Sequence, residues 1–228
     1  MYRVLEFLSI LLITFSLTPA SAQESKREVK FKGAYYEVRR AAHDLEGMPK
    51  GAVVFVGNSI TEQGWWPMLF KTNNIINRGI GGDNTFGMLD RFADILKFEP
   101  RKIFFMGGIN DLTAGLSQDT IIHNIRTMIK MCKEKSPSTE FYLQSVLPVN
   151  DARLAYPAIK GKNKSIKELN VKLNKLAEEC GVTFVNVAPL LSDNNGELEL
   201  NLTKDGIHLH PDAYLIWSKH LRKMRYLR

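Results

Sequence analysis

The sequence predicts a three-layer α/β sandwich, a five-stranded parallel sheet with helices on both faces. Three observations predict it. Short apolar runs recur along the chain and stop at glycine or proline, amphipathic helical segments separate them, and no internal repeat or long linker divides the whole. A strand that is apolar without a break is buried on both faces, and strand–helix alternation brings such strands parallel beneath covering helices. The 228 residues are 44% hydrophobic and 24% charged, enough for one domain with a sizeable core. The expected architecture is therefore a single domain of flavodoxin-like type.

Each element has its own signal. The first strand is Val53-Val54-Phe55-Val56, ended by Gly57, and a weaker second one is Ile75-Ile76-Asn77, followed by Gly79-Ile80-Gly81-Gly82. One helix is expected over residues 85–96, with Met88, Leu89, Phe92, Ile95 and Leu96 on its inner face. Ile103-Phe104-Phe105-Met106 is the third strand and runs into Gly107-Gly108. A long helix follows over 118–135, with Ile121, Ile122, Ile125, Ile129 and Met131 as core positions. Residues 141–146 form the fourth strand, closed by Pro148. Residues 165–179 form a helix that Gly181 caps. The fifth strand covers 183–187. Pro211 opens a last helix through about Met224, since proline suits a first helical turn.

The N-terminus reads differently. Arg3, an apolar stretch from Leu5 to Leu17, Pro19 and the triplet Ala20-Ser21-Ala22 form the layout of a signal peptide over residues 1–22. The apolar stretch falls short of the roughly 20 residues that span a bilayer. An exported protein, periplasmic or extracellular in a bacterium and without stable membrane insertion, is expected. Residues 23–50 read as a leader segment and 51–228 as the folded domain. The formal net charge of +7 is scattered apart from the run Lys219 to Arg225, the solvated end of a helix, and no nucleic-acid motif accompanies it. No CxxC, HExxH or acidic cluster at ligand spacing occurs, so neither a metal nor an organic cofactor is expected. Cys132 and Cys180 are too few to form a scaffold on which folding depends.

Chemistry gathers at the strand ends, where open parallel sheets bind ligands. The first strand leads into Gly57-Asn58-Ser59, the second into Gly81-Gly82-Asp83-Asn84 and the third into Gly108-Ile109-Asn110-Asp111, while Asp205 and His208 precede the last helix. Taken singly, Ser59 is a helix cap, the glycines are a turn and His208 is a structural histidine. Taken together they meet the needs of acyl transfer. A hydroxyl nucleophile needs a base, the base needs a group that fixes its tautomer, and the developing oxyanion needs donors.

In this order the blocks resemble those of the SGNH hydrolase superfamily, also called GDSL-type esterases and lipases. "VVFVGNSIT" resembles the first block, "NRGIGGDNT" the second, "GGIND" the third and "DGIHLHP" the last. The resemblance implies Ser59 as nucleophile, His208 as base and Asp205 as its orienting carboxylate. It also implies an oxyanion hole of the Ser59 and Gly82 amides and the Asn110 side chain. GNSI departs from GDSL in placing Asn58 before the serine, which removes one negative charge there. His210 does not match the block.

The expected substrate is a small-molecule or glycan ester. With no long hydrophobic insertion between the blocks, a small acyl group on a bulky polar alcohol fits best, and removal of O-acetyl groups from a carbohydrate is the favoured reading. Trp65 and Trp66 are placed either to stack on a sugar or to pack against the sheet. The rival readings are a lipid esterase resembling lysophospholipases or platelet-activating-factor acetylhydrolases, and a non-catalytic carbohydrate-binding domain on an esterase fold.

Overall fold

A computed structural model describes residues 31–227. The expected signal peptide, residues 1–22, lies outside the described residues. The sheet has five strands, β1 (Val53–Gly57), β2 (Ile75–Gly79), β3 (Lys102–Met106), β4 (Glu140–Gln144) and β5 (Thr183–Val185). They are all parallel in the order β2-β1-β3-β4-β5. The chain therefore reverses its direction of winding at β1, and the crevice of such a sheet opens beyond the carboxyl ends of β1 and β3. Register makes this concrete. Gly57 pairs with Gly79 on one side and Met106 on the other, so the three loops bearing the signature blocks leave the sheet side by side.

The helices are α1 (Ala34–Glu46), α2 (Ser59–Glu62), α3 (Trp66–Phe70), α4 (Thr85–Asp90), α5 (Phe92–Leu96), α6 (Ile109–Thr113), α7 (Gln118–Lys135), α8 (Asn163–Cys180) and α9 (Pro211–Lys223). On one side of the sheet α7 packs against α4, α5 and α8; on the other, α3 packs against α9. Both long interior helices turn an apolar stripe inward. In α7 that stripe is Ile121, Ile125, Met128, Ile129 and Cys132; the expected core positions Ile122 and Met131 are only partly buried. Neither Cys132 nor Cys180 is in a disulfide, and burial pushes the Cys132 thiol up to about 11.

The core is bound by a row of stacked rings. Trp66 lies parallel to Phe55 at 4.0 Å, Phe55 to Phe104 at 4.9 Å and Phe104 to Tyr142 at 4.6 Å. Trp217 and Tyr214 of α9 meet the Trp66 ring edge-on. Each buried polar tip finds a partner: Trp66 Nε1 donates to the Thr61 carbonyl, Trp217 Nε1 to Gln144 Oε1 and Tyr214 Oη to the Ile60 carbonyl. Of the two adjacent tryptophans, Trp66 is thus the packing residue, fully buried, and Trp65 points to solvent.

Besides the limits of the strands, with β4 and β5 ending at Gln144 and Val185 rather than at 146 and 187, two features depart from the sequence reading. The helix expected over 85–96 is broken at Arg91, whose side chain turns inward to form an ion pair with Asp83 and a hydrogen bond to the Gly57 carbonyl. The segment read as a leader carries α1, which is docked on the domain. Tyr36 Oη donates to the Gly87 carbonyl, Arg40 bridges Asp90 and Asp94, and Glu46 pairs with Arg78.

Candidate active site

Ser59 is the first residue of α2 and follows β1 by one residue, so its position inherits the rigidity of a central strand. Asn58 caps the short helix, its Oδ1 accepting from the Ile60 amide at 3.0 Å. The residue that replaces the aspartate of the literal motif therefore acts on the backbone.

The last block is a tight loop built around a carboxylate. Asp205 Oδ1 accepts from the backbone N–H of Ile207 at 3.1 Å and of His208 at 2.8 Å. Its other oxygen lies 2.7 Å from His208 Nδ1. Gly206 permits the turn: its φ is +89°, and a Cβ there would come within 2.5 Å of the Leu154 backbone. Burial raises the Asp205 pKa, but the His208 N–H, the imidazole and the Ile207 N–H outweigh it and hold the carboxyl below its ordinary value. A carboxylate only accepts, so Nδ1 carries the proton and Nε2 offers its lone pair to Ser59 Oγ, 2.9 Å away. Residues 149 positions apart thus form one relay, Asp205 to His208 to Ser59.

The other two blocks place Gly82 and Asn110 in the loops after β2 and β3. Gly82 holds φ +76°, is exposed, and has open space where a side chain would be. Asn110 sits in the first turn of α6, and its Nδ2 donates to the Asp83 carbonyl at 2.7 Å. That bond uses one of the two amide hydrogens and fixes the direction of the second. Asp111, fully buried, accepts from the Thr85 N–H and, at 2.5 Å, from the Thr85 hydroxyl, which ties the third block to the second. All five residues singled out in the sequence (Ser59, Gly82, Asn110, Asp205 and His208) are therefore brought to the carboxyl end of β1–β3. Among the described residues, no group of three His, Cys, Asp or Glu side chains is placed to hold a metal ion.

A sequence profile described as the GDSL-like lipase/acylhydrolase family matches residues 55–216, which include every one of these positions. The chain belongs to that family. This acylhydrolase is 24% identical over 205 residues to the human platelet-activating factor acetylhydrolase IB subunit alpha1, covering 86% of the chain and 84% of the relative. Its structure resembles that of a GDSL-like lipase from Bacteroides thetaiotaomicron, with a TM-score of 0.71 and 29% identity over 84% of this chain and 98% of the other. An acetylxylan esterase from Geobacillus stearothermophilus shares the fold at a TM-score of 0.61 and 17% identity, over 78% and 95% of the two chains.

Several residues around the acylhydrolase site carried no sequence signal. Tyr156 meets the His208 ring edge-on at 5.6 Å, held there because Ala155 N donates to the Asp205 carbonyl. Lys204 reaches from the His208 loop to Gln63, which follows α2. Tyr35 of α1 donates to Glu62, three residues beyond the serine. Only Glu62 and Lys204 adjoin a signature block in the sequence.

Proposed function

We propose that the protein is an exported serine esterase that removes O-acetyl groups from a carbohydrate. The observation that carries the catalytic part is the relay itself: Ser59 Oγ at 2.9 Å from His208 Nε2, and Nδ1 at 2.7 Å from Asp205. His208 takes the serine proton as Oγ bonds to the ester carbonyl carbon, and the carbonyl electron pair moves to oxygen. The amides of Ser59 and Gly82 and the free Asn110 N–H receive that oxyanion. Collapse breaks the bond to the alcohol, which leaves with the proton from His208. Water then repeats the sequence with His208 as base and frees the acid and Ser59. Asp205 fixes the tautomer throughout.

The choice of substrate is supported by the rim. Ser59 is only half-buried, and the side chains about it (Tyr35, Glu62, Gln63, Tyr156 and Lys204) are polar-tipped, which suits a hydrated alcohol better than an acyl tail. Export is supported by the pattern of Arg3, the Leu5 to Leu17 run and Ala20-Ser21-Ala22. Likeness to the human acetylhydrolase subunit favours a second reading, an acetyl ester of a phospholipid. The test sets the mature protein beside Ser59→Ala on acetylated xylo-oligosaccharides, a short-chain acetyl phospholipid and p-nitrophenyl esters of rising chain length. Sugar deacetylation lost in the variant supports the proposal. Preference for the phospholipid supports the rival, and turnover that survives Ser59→Ala refutes both.

A further inference from the structure

Gly81 lies beside the nucleophile. A Cβ placed on it would lie 3.9 Å from Ser59 Cβ, 3.0 Å from Glu62 Oε2 and 3.1 Å from Tyr35 Cε1. The absent side chain lets a carboxylate oxygen and a phenol ring close in beside the serine, where even a methyl group would press on both. Two elements distant in sequence meet there: Tyr35 from α1 and Glu62 from the end of α2.

The carboxylate is held by one oxygen only. Glu62 Oε1 accepts from Tyr35 Oη at 2.9 Å and lies 2.7 Å from Arg39 Nε, an ion pair without the alignment of a hydrogen bond. Among the described residues, no donor reaches Oε2. Arg39 and Tyr35 hold Oε1, while the free oxygen remains a strong acceptor fixed in direction. An acceptor of this kind, with a half-exposed tyrosine ring next to it, matches a neutral ring that carries hydroxyl groups.

We propose that Glu62, oriented by Tyr35 and Arg39, is the residue that recognises the alcohol of the substrate, accepting a hydrogen bond from a free hydroxyl on the sugar ring that bears the acetyl group. The inference rests on the carbohydrate reading above and adds to it the side chain that reads the sugar. It gives α1 a function besides packing, because Tyr35 holds the carboxylate from outside the signature blocks.

The experiment compares two acetate esters of six-membered-ring alcohols, methyl 2-O-acetyl-β-xylopyranoside and cyclohexyl acetate, which share the acyl group and differ in ring hydroxyls. The readout is the ratio of kcat/KM for the sugar ester to that for the cyclohexyl ester. It is measured for the mature wild-type protein, Glu62→Gln and Tyr35→Phe, each checked by thermal melting. Wild type has a ratio well above one. In Glu62→Gln the ratio falls about tenfold, the difference between a charge-assisted and a neutral hydrogen bond. In Tyr35→Phe it falls in the same direction, and this exposed substitution supplies the readout should Glu62→Gln fail to fold. A wild-type preference that persists in both variants, or variants that lose rate equally on both esters, overturns the role of Glu62 and leaves the carbohydrate reading standing. A wild-type ratio near one overturns that reading and this inference with it.

Discussion

Asn110 offers the sharpest test of the oxyanion assignment, because two substitutions separate a missing donor from an added charge. One Nδ2 hydrogen is committed to the Asp83 carbonyl at 2.7 Å, and the other is the only side-chain donor proposed for the oxyanion. Asn110→Ala removes it and adds nothing. Loss of one such donor lowers kcat by about 10²–10³-fold, since the interaction is made with charge that develops only in the transition state. Asn110→Asp removes the donor and also sets a carboxylate where the oxyanion forms. Two like charges about 4 Å apart at an effective dielectric near 20 repel by about 4 kcal/mol, so a further loss of tenfold or more follows.

The same carboxylate would face the Asp83 carbonyl, acceptor against acceptor, at a cost to stability of about 1–3 kcal/mol. Melting curves must therefore accompany the kinetics. The assay is p-nitrophenyl acetate hydrolysis at neutral pH, with kcat and KM determined for both variants and wild type. Wild type exceeds Asn110→Ala, and Asn110→Ala exceeds Asn110→Asp, in kcat, with KM nearly constant. A folded Asn110→Ala within about threefold of wild type in kcat refutes the assignment, because a transition-state donor is worth far more than that.

Other predictions follow from the same geometry. Asp205→Asn keeps the shape of the loop but no longer holds Nδ1–H with a charged acceptor, so kcat on p-nitrophenyl acetate falls by about 10²–10⁴-fold; a change below threefold refutes the relay. Trp66→Ala empties a fully buried position in the ring stack and costs about 3–5 kcal/mol in urea unfolding, whereas Trp65→Ala, on the surface, costs less than about 0.5 kcal/mol; equal costs refute the packing assignment. His43 is held down to about 3 by burial and then by Arg78, Arg91, Arg39 and Arg40, so between pH 6.5 and 3 the unfolded chain binds a proton that the folded one refuses. Its contribution to stability is complete above pH 6.5 and is lost as the pH falls through that window. Asp83, pushed up to about 6 chiefly by burial, acts oppositely between 3.8 and 6. His43→Gln therefore flattens the acid-side decline of the urea midpoint, and an unchanged slope refutes the account.

What was legible in the sequence was local. The central strands β1 and β3 lie where unbroken apolar runs placed them, because burial on both faces leaves no exposed position to blur the pattern. Strand limits shifted where polar residues join the ladder, as Arg78 does in β2 and Lys102 in β3. The signature blocks were legible because turns and helix starts demand particular residues at fixed spacing. What escaped detection depended on distant partners. Arg91 sits in a periodic helical pattern as a surface residue would, and only its contacts with Asp83 and Gly57 show why the helix breaks there. Neither Tyr35 nor Tyr156 belongs to any pattern; the fold alone carries α1 and the 150–156 loop to the serine.

The Arg91–Asp83 pair also explains why the three loops that carry Ser59, Gly82 and Asn110 form a single body. Arg91 donates to the Gly57 carbonyl at the end of β1 and to Asp83 in the second block, and the Asp83 carbonyl in turn fixes Asn110 in the third. The loops that carry Ser59, Gly82 and Asn110 are thereby cross-linked through two buried residues. This arrangement has a cost. Asp83 Oδ1 and Arg91 Nη1 find no hydrogen-bond partner among the described residues, and the carboxylate is pushed up to about 6 although a guanidinium touches it. A buried pair with unsatisfied atoms is a poor source of stability, and an apolar pair of similar volume would serve the fold as well or better. Its value lies in what it positions. Oxyanion stabilisation depends on donors that need not reorganise as charge develops, and a network that costs stability while it holds three loops in register is consistent with that requirement rather than with the needs of folding.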